Sequence, residues 1–416
     1  MVRIATTLVL AFSLASCGAT PPAPSSDTAS TDTVAPPDVP MTDQGGPRTV
    51  TSEEIKRAIL GHVAEDVVLP TLTAFKEKAD ALAQATEAYA NDVSPEKLVA
   101  AQQAWREAMT VWQRAEMMQL GPAGVMGEVL GGKDYRDEIY SWSTTNPCRV
   151  DQETLEEAYA DAATLGTEPV NVRGLDAIEY LLFHPGDKNA CKVNSGINKN
   201  GTWDAMKAEI PSRQAHYAAS AAALVQAGAA TLLAAWKVGE GDFATTLKAA
   251  GEGSSLFGTA QEGLNAISDA LFYLDKMTKD MKLAEPVGVS GCDAETCPEA
   301  LESRWAHYSK ESVLANLEGF ALMIYGGSDP AEALGFDDLL DSIGAKVLAD
   351  ELRAKIQAAL QAVGGFEGTF AEALAEDPSR LESVYGSLKA ITDLLKTQFM
   401  SVLDLEIPQR AASDND

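Results

Sequence analysis

Residues 94–122 read SPEKLVAAQQAWREAMTVWQRAEMMQLGP. Leu98, Ala101, Trp105, Ala108, Met109, Trp112 and Ala115 recur at steps of three and four, which builds one apolar face on a helix. Ser94 suits the N-cap, and Pro95 suits the first helical position, where no partner is needed for its missing N–H. Gly121-Pro122 ends the run. The same period returns over 53–89, 203–237, 243–282, 299–325, 330–363 and 366–405. Pro70 and Pro211 are expected to kink or break two of these helices, and GEGSS at 251–255 loosens another. Alternating β-branched runs are short, and Ala-rich stretches such as 218–236 favour helix. The expectation is an all-α protein of about eight major helices, arranged as two packed four-helix-bundle domains. The first would span 51–240 and the second 241–412, divided near VGEGD at 238–242.

Composition narrows the function. The chain has 416 residues, 32 Lys and Arg against 61 Asp and Glu, and a formal charge of −29. Such a surface repels phosphate backbones, so no nucleic-acid partner is expected, while cations and basic surfaces are tolerated. Hydrophobic residues make up 46% of the chain, enough for a sizeable core.

The N-terminus carries a targeting signal. Arg3 precedes an apolar run over 4–14, too short to span a bilayer as a mature helix. Leu14-Ala15-Ser16-Cys17 follows, then Gly18. This resembles a bacterial lipoprotein lipobox, with 1–17 as signal peptide and Cys17 as lipid anchor. The resemblance implies acylation and, with Gly18 after the cysteine, an outer-membrane location, on either face. Residues 18–50 are rich in Pro, Ser, Thr and Asp and read as a disordered tether. No later stretch is expected to cross a membrane.

Beyond Cys17 the chain has Cys148, Cys191, Cys292 and Cys297. An even number in an exported chain points to two disulfides among three possible pairings. Cys292 and Cys297 close the short loop CDAETC, which leaves Cys148 to pair with Cys191. A zinc site is the alternative, although neither pair has a CxxC spacing.

Residues 172–183, VRGLDAIEYLLF, place two acids in an apolar setting. On a helix, Asp176, Glu179, Tyr180 and Phe183 form one stripe, and Leu175, Ile178 and Leu182 a second. A helix apolar nearly all round is buried. Two buried carboxylates need compensation. Arg173 could pair with Asp176, one acid could hold a proton, or a bound cation could hold both. A purely structural network, with Asn171 capping the helix, remains open beside a ligand site.

Several blocks together resemble the imelysin-like family, also classed as peptidase family M75. They are WREAMTVWQRAEMMQLGP (105–122), NVRGLDAIEYLLF (171–183), MKLAEPVG (281–288) and ESRWAHYSKESVLANLEGFALMIYGG (302–327). The resemblance implies two helical bundles, a site near their junction, export with frequent lipid anchoring, and an association with iron and divalent-cation handling or with peptidase activity. The family's G-x-H-x-x-E signature reads Gly174-Leu175-Asp176-Ala177-Ile178-Glu179 here. A carboxylate thus replaces the imidazole, which suits harder cations better than zinc. No HExxH occurs.

The candidate ligand residues are therefore Asp176 and Glu179, with Arg173 as orienting partner. Glu116 in the first block and His184 just past Phe183 are weaker candidates; Ser309 and Asn316 could supply polar contacts across the interface, but helix capping or interhelical hydrogen bonding is the favoured reading for both. The expected function is binding of a cation or polar ligand, with iron or another divalent cation as the possible cofactor. It would support metal acquisition beside an envelope metal-uptake protein. The alternatives are an M75-type metallopeptidase and a non-catalytic envelope interaction module.

Overall fold

The computed structural model describes residues 51–184, 188–329 and 332–406. Cys17, the tether and residues 407–412 of the expected second domain lie outside them. The described residues belong to one compact unit. They are helical with no β-strand among them; the nearest approach to sheet is an isolated bridge between Met126 and Val129.

The first helix, α1, runs over Ser52–Asn91. Thr51 caps it through a reciprocal bond with Glu54. Pro70 does not break it. The preceding turns, Val63–Val68, are π-helical, and this wider spiral moves the carbonyls with which a proline ring would collide. Helix α2 is Pro95–Ala115, with Ser94 at the N-cap as expected. Shorter helices follow, among them α3 (Tyr135–Ile139), α4 (Pro147–Glu156) and α5 (Gly174–Phe183). Pro211 starts α6, Ile210–Trp236, rather than interrupting it, because the preceding turns form a separate short helix, Thr202–Met206. Helix α7 is Ala260–Leu271, and a long π-helical segment, Leu274–Ala284, comes next. Then come α8 (Ser309–Tyr325), α9 (Phe336–Ser342), α10 (Lys346–Gly364) and α11 (Ser379–Leu394).

Helices α2 and α6 pack with the second half of α1 and α5 packs on both of them, while α8 and α11 pack with the π segment and α10 packs on both of those. The seam between these groups is the α2–α8 contact, and the first turns of α1 pack on α7 and α9. Helices α1 and α6 are long and apolar enough to cross a membrane, contrary to expectation. Here they pack against each other, burying Phe75, Leu82, Tyr217 and Val225, and so serve as core helices.

One expected helix is only half present. Residues 301–308 are unwound, with Ser303 and His307 at φ +50° and +52°, and α8 begins at Ser309. Both disulfides form as expected, Cys148–Cys191 and Cys292–Cys297.

Candidate functional site

Every residue of α5 from Gly174 to Leu182 is buried, as its two apolar stripes require. The helix starts at Gly174 with φ +89°. A Cβ there would sit 2.8 Å from the Ile139 carbonyl oxygen and 3.0 Å from Asp176 Oδ1. Glycine is needed both for the left-handed backbone and for the close approach. We expect Gly174→Ala to cost about 2 kcal/mol or more, read as a lower denaturation midpoint. An unchanged midpoint would mean that the backbone relaxes without strain.

The two acids end up in one cavity. Asp176 is 4% exposed and Glu179 5%. Asp176 Oδ2 accepts from Ser141 Oγ at 3.1 Å and from the Thr145 hydroxyl. Its Oδ1 is buried with no hydrogen-bond partner among the described residues. Glu179 Oε1 accepts the backbone N–H groups of Trp305 at 2.8 Å and Ala306 at 2.9 Å. The unwound stretch before α8 supplies these donors, which a continuous helix would have used internally. Burial pushes the Asp176 carboxyl up to about 7, against the pull of its hydrogen bonds. Burial likewise pushes Glu179 up to about 8, with Glu302 and Asp176 adding to the effect and the two amides opposing it.

The cavity measures about 640 Å³ and is lined by Asp176 and Glu179 together with Trp142, Tyr180 and Trp305. Glu285, Asp293, Glu299 and Arg304 also line it. Tyr180 is held by donating its hydroxyl to both Asp151 oxygens at 3.0 Å. Asp151 also accepts the Ala190 N–H at 2.7 Å, in the segment that Cys148–Cys191 ties to α4. Burial pushes Asp151 up to about 7.

Beside the cavity lies a closed ionic network. Lys282 Nζ, on the π segment and 1% exposed, reaches Gln113 Oε1 at 2.6 Å, Asn316 Oδ1 at 2.8 Å, Glu302 Oε1 at 2.9 Å and Glu116 Oε2 at 3.2 Å. Arg136 bonds Glu116 Oε1 at 3.1 Å, and Tyr273 donates to Glu116 Oε2 at 2.5 Å. Tyr140 donates to Glu302 Oε1 at 2.7 Å. Two cations thus balance two buried carboxylates across the seam. Burial opposes ionisation of Glu116, but Lys282 and Arg136 outweigh it and hold its carboxyl below the usual range.

These positions can be set against known proteins. The family model for imelysin, peptidase family M75, matches residues 68–398. The chain belongs to the imelysin family. An imelysin-like protein from Psychrobacter arcticum has a similar structure, with a TM-score of 0.65 and 19% identity, covering 86% of this chain and 98% of that one. A protein described as an iron-regulated protein A precursor from Parabacteroides distasonis gives a TM-score of 0.64 and 16% identity, covering 85% and 95%. At these identities the likeness is one of fold. Among curated proteins none matches.

In this imelysin the signature's first and last positions have clear physical roles, the glycine as a backbone requirement and Glu179 as acceptor of two amides. Three sequence-based assignments need correction. Arg173 does not pair with Asp176; it is itself the extended N-cap residue, in place of Asn171, and it bonds Glu138 at 3.1 Å and the Gly166 carbonyl at 3.0 Å. Glu116 belongs to the Lys282 network and does not line the cavity. His184 ends α5 and stacks on Tyr180 at 4.7 Å, edge-on to Trp305, behind the lining aromatics. Ser309 donates locally to the Glu302 carbonyl, and Asn316 makes an interhelical hydrogen bond to the Gln113 carbonyl across the seam at 2.7 Å.

Lys282, Glu302 and the Trp305 and Ala306 amides went unrecognised. A signal existed for the first, a lysine in the apolar run MKLA. Among the described residues, no three His, Cys, Asp or Glu side chains converge as a metal cage. Asp176 and Glu179 would have to complete any coordination with ligand or water oxygens.

Proposed function

We propose that this imelysin binds a cation or polar ligand in the cell envelope, in support of the acquisition of iron or another metal, and does so without catalysis. One observation carries the reading: two buried acids, one with an oxygen that has no hydrogen-bond partner among the described residues, line a cavity whose other charged lining residues are three acids and one arginine. A cation entering there would restore the charged form of both acids and return the cost of burying them. The iron-regulated description of a structural neighbour supports the physiological setting. A neighbouring envelope uptake protein would receive the ligand.

Calorimetric titration of ferric citrate, Mn²⁺ and Ca²⁺ into wild type, Asp176→Asn and Glu179→Gln tests this. We expect wild type to bind at least one of them and each variant to lose tenfold or more. No binding by wild type, or equal binding by all three, would leave the acids a structural pair and favour the interaction-module alternative. A peptide substrate in the same series should stay intact; chelator-sensitive cleavage lost in Glu179→Gln would instead establish an M75-type metallopeptidase.

The envelope location is proposed to rest on acylation of Cys17 and retention at the outer membrane. Cys17→Ser should move the protein into the soluble fraction or block its processing. Normal processing with full membrane retention would remove the anchor.

A further inference from the structure

The cavity has a wall that the acids alone do not explain. Cys292 and Cys297 both line it, with Gly291, Asp293 and Ala294 between and beside them, whereas neither Cys148 nor Cys191 does. The ring they close spans a sequence separation of 5. Asp293, Ala294 and Glu295 are exposed, so the ring has no apolar anchor in the core. Besides the disulfide, it is held by the Cys297 N–H to the Pro286 carbonyl at 2.9 Å and by the turn at Gly288. That turn has φ +77°, and a Cβ on Gly288 would lie 2.2 Å from the Glu295 carbonyl oxygen. The ring therefore folds directly back onto the end of the π segment, and its covalent closure replaces the packing it lacks.

We infer that the Cys292–Cys297 ring is a built part of the ligand site: it walls the cavity over Asp176 and Glu179, and its Asp293 makes the mouth selective for cations. Two independent features point the same way. Inside, Asp176 is a lining residue whose Oδ1 is buried with no hydrogen-bond partner among the described residues. At the mouth, Asp293 joins Glu285 and Glu299, and these three acids outnumber the single lining arginine, Arg304, which donates to the Glu299 carbonyl at 2.8 Å and lies 4.5 Å over the Trp305 ring. Like charges around an opening concentrate cations and repel anions. A wall also keeps water from Glu179, so that its bonds to Trp305 and Ala306 persist. The selectivity half of this inference rests on the cation-binding reading above; the wall half does not.

The test compares full-length wild type with the Cys292→Ser/Cys297→Ser double variant and with Asp293→Asn. Amide hydrogen exchange is followed over 176–180 and 303–308, with α1 and α6 as internal controls, and Mn²⁺ is titrated calorimetrically. In the double variant, exchange at 303–308 should rise tenfold or more while α1 and α6 are unchanged, and Mn²⁺ affinity should fall about tenfold. Asp293→Asn should weaken Mn²⁺ binding severalfold, chiefly at low salt, with exchange as in wild type. Unchanged exchange in the double variant overturns the inference. Faster exchange with wild-type Mn²⁺ affinity reduces the ring to a local staple and also overturns it. If wild type binds no Mn²⁺, the cation mouth is lost with the cation reading, and exchange alone upholds or sinks the wall.

Discussion

Lys282→Met is expected to destabilise the fold by about 3–5 kcal/mol, lowering the melting temperature by roughly 6 °C or more. The side chain is 1% exposed and carries the positive charge shared by Glu116 and Glu302, which are themselves 0% and 1% exposed. Methionine matches its length and apolar stem but removes the ammonium. Arg136 would still hold Glu116, but Glu302 would keep only the neutral donors Gln113 and Tyr140. Glu302 Oε2 already lacks a partner among the described residues. A buried carboxylate left without a cation takes up a proton or breaks the seam, and both routes cost stability. Adding Glu302→Gln should recover part of the loss, because the unpaired charge disappears. Chemical denaturation of the single and double variants decides this. A loss below about 1 kcal/mol, the range of exposed ion pairs, would show that the network contributes no more than surface pairs do.

Raising the pH should weaken wild type more than it weakens Asp176→Asn or Glu179→Gln. Asp176 is pushed up to about 7 and Glu179 to about 8, both by burial first, while the unfolded chain releases these protons near pH 4. Between those limits the folded protein holds protons that the unfolded chain has lost. The associated stability is therefore fully present below about pH 4 and drains away as the pH rises towards 8. At about 1.4 kcal/mol per pKa unit, each acid accounts for a loss on the order of 4–5 kcal/mol across that window. An amide does not titrate, so each variant should melt close to wild type at pH 4 and clearly above it at pH 8.5. Melting curves at intervals of one pH unit give the answer. Parallel profiles for wild type and both variants would mean that the acids ionise freely in the folded state.

Much of this protein was legible in one dimension. Steps of three and four around Trp105 and Trp112 gave the all-α class, since helical geometry brings residues at those intervals onto one face. The near-continuous apolar character around Asp176 and Glu179 announced their burial, and their i, i+3 spacing placed both on one face of α5. Parity and one short loop sufficed for the disulfides. Each of these follows from local backbone geometry or from counting, and neither depends on what a distant segment does.

The partners were decided elsewhere. Arg173 precedes a glycine at φ +89° and is itself extended, so the i, i+3 rule that would pair it with Asp176 does not apply at the helix start, and its side chain goes to Glu138. Leu301, Trp305 and Tyr308 keep a helical period, yet the chain unwinds there and two of its amides bond Glu179, more than a hundred residues earlier in sequence. Lys282 meets Glu116 across a separation of 166 residues. Periodicity reports which face of a segment is buried, because burial acts on each segment separately. Hydrogen bonds and ion pairs depend on the distance between groups, and for groups far apart in the chain only the packed tertiary structure sets that distance.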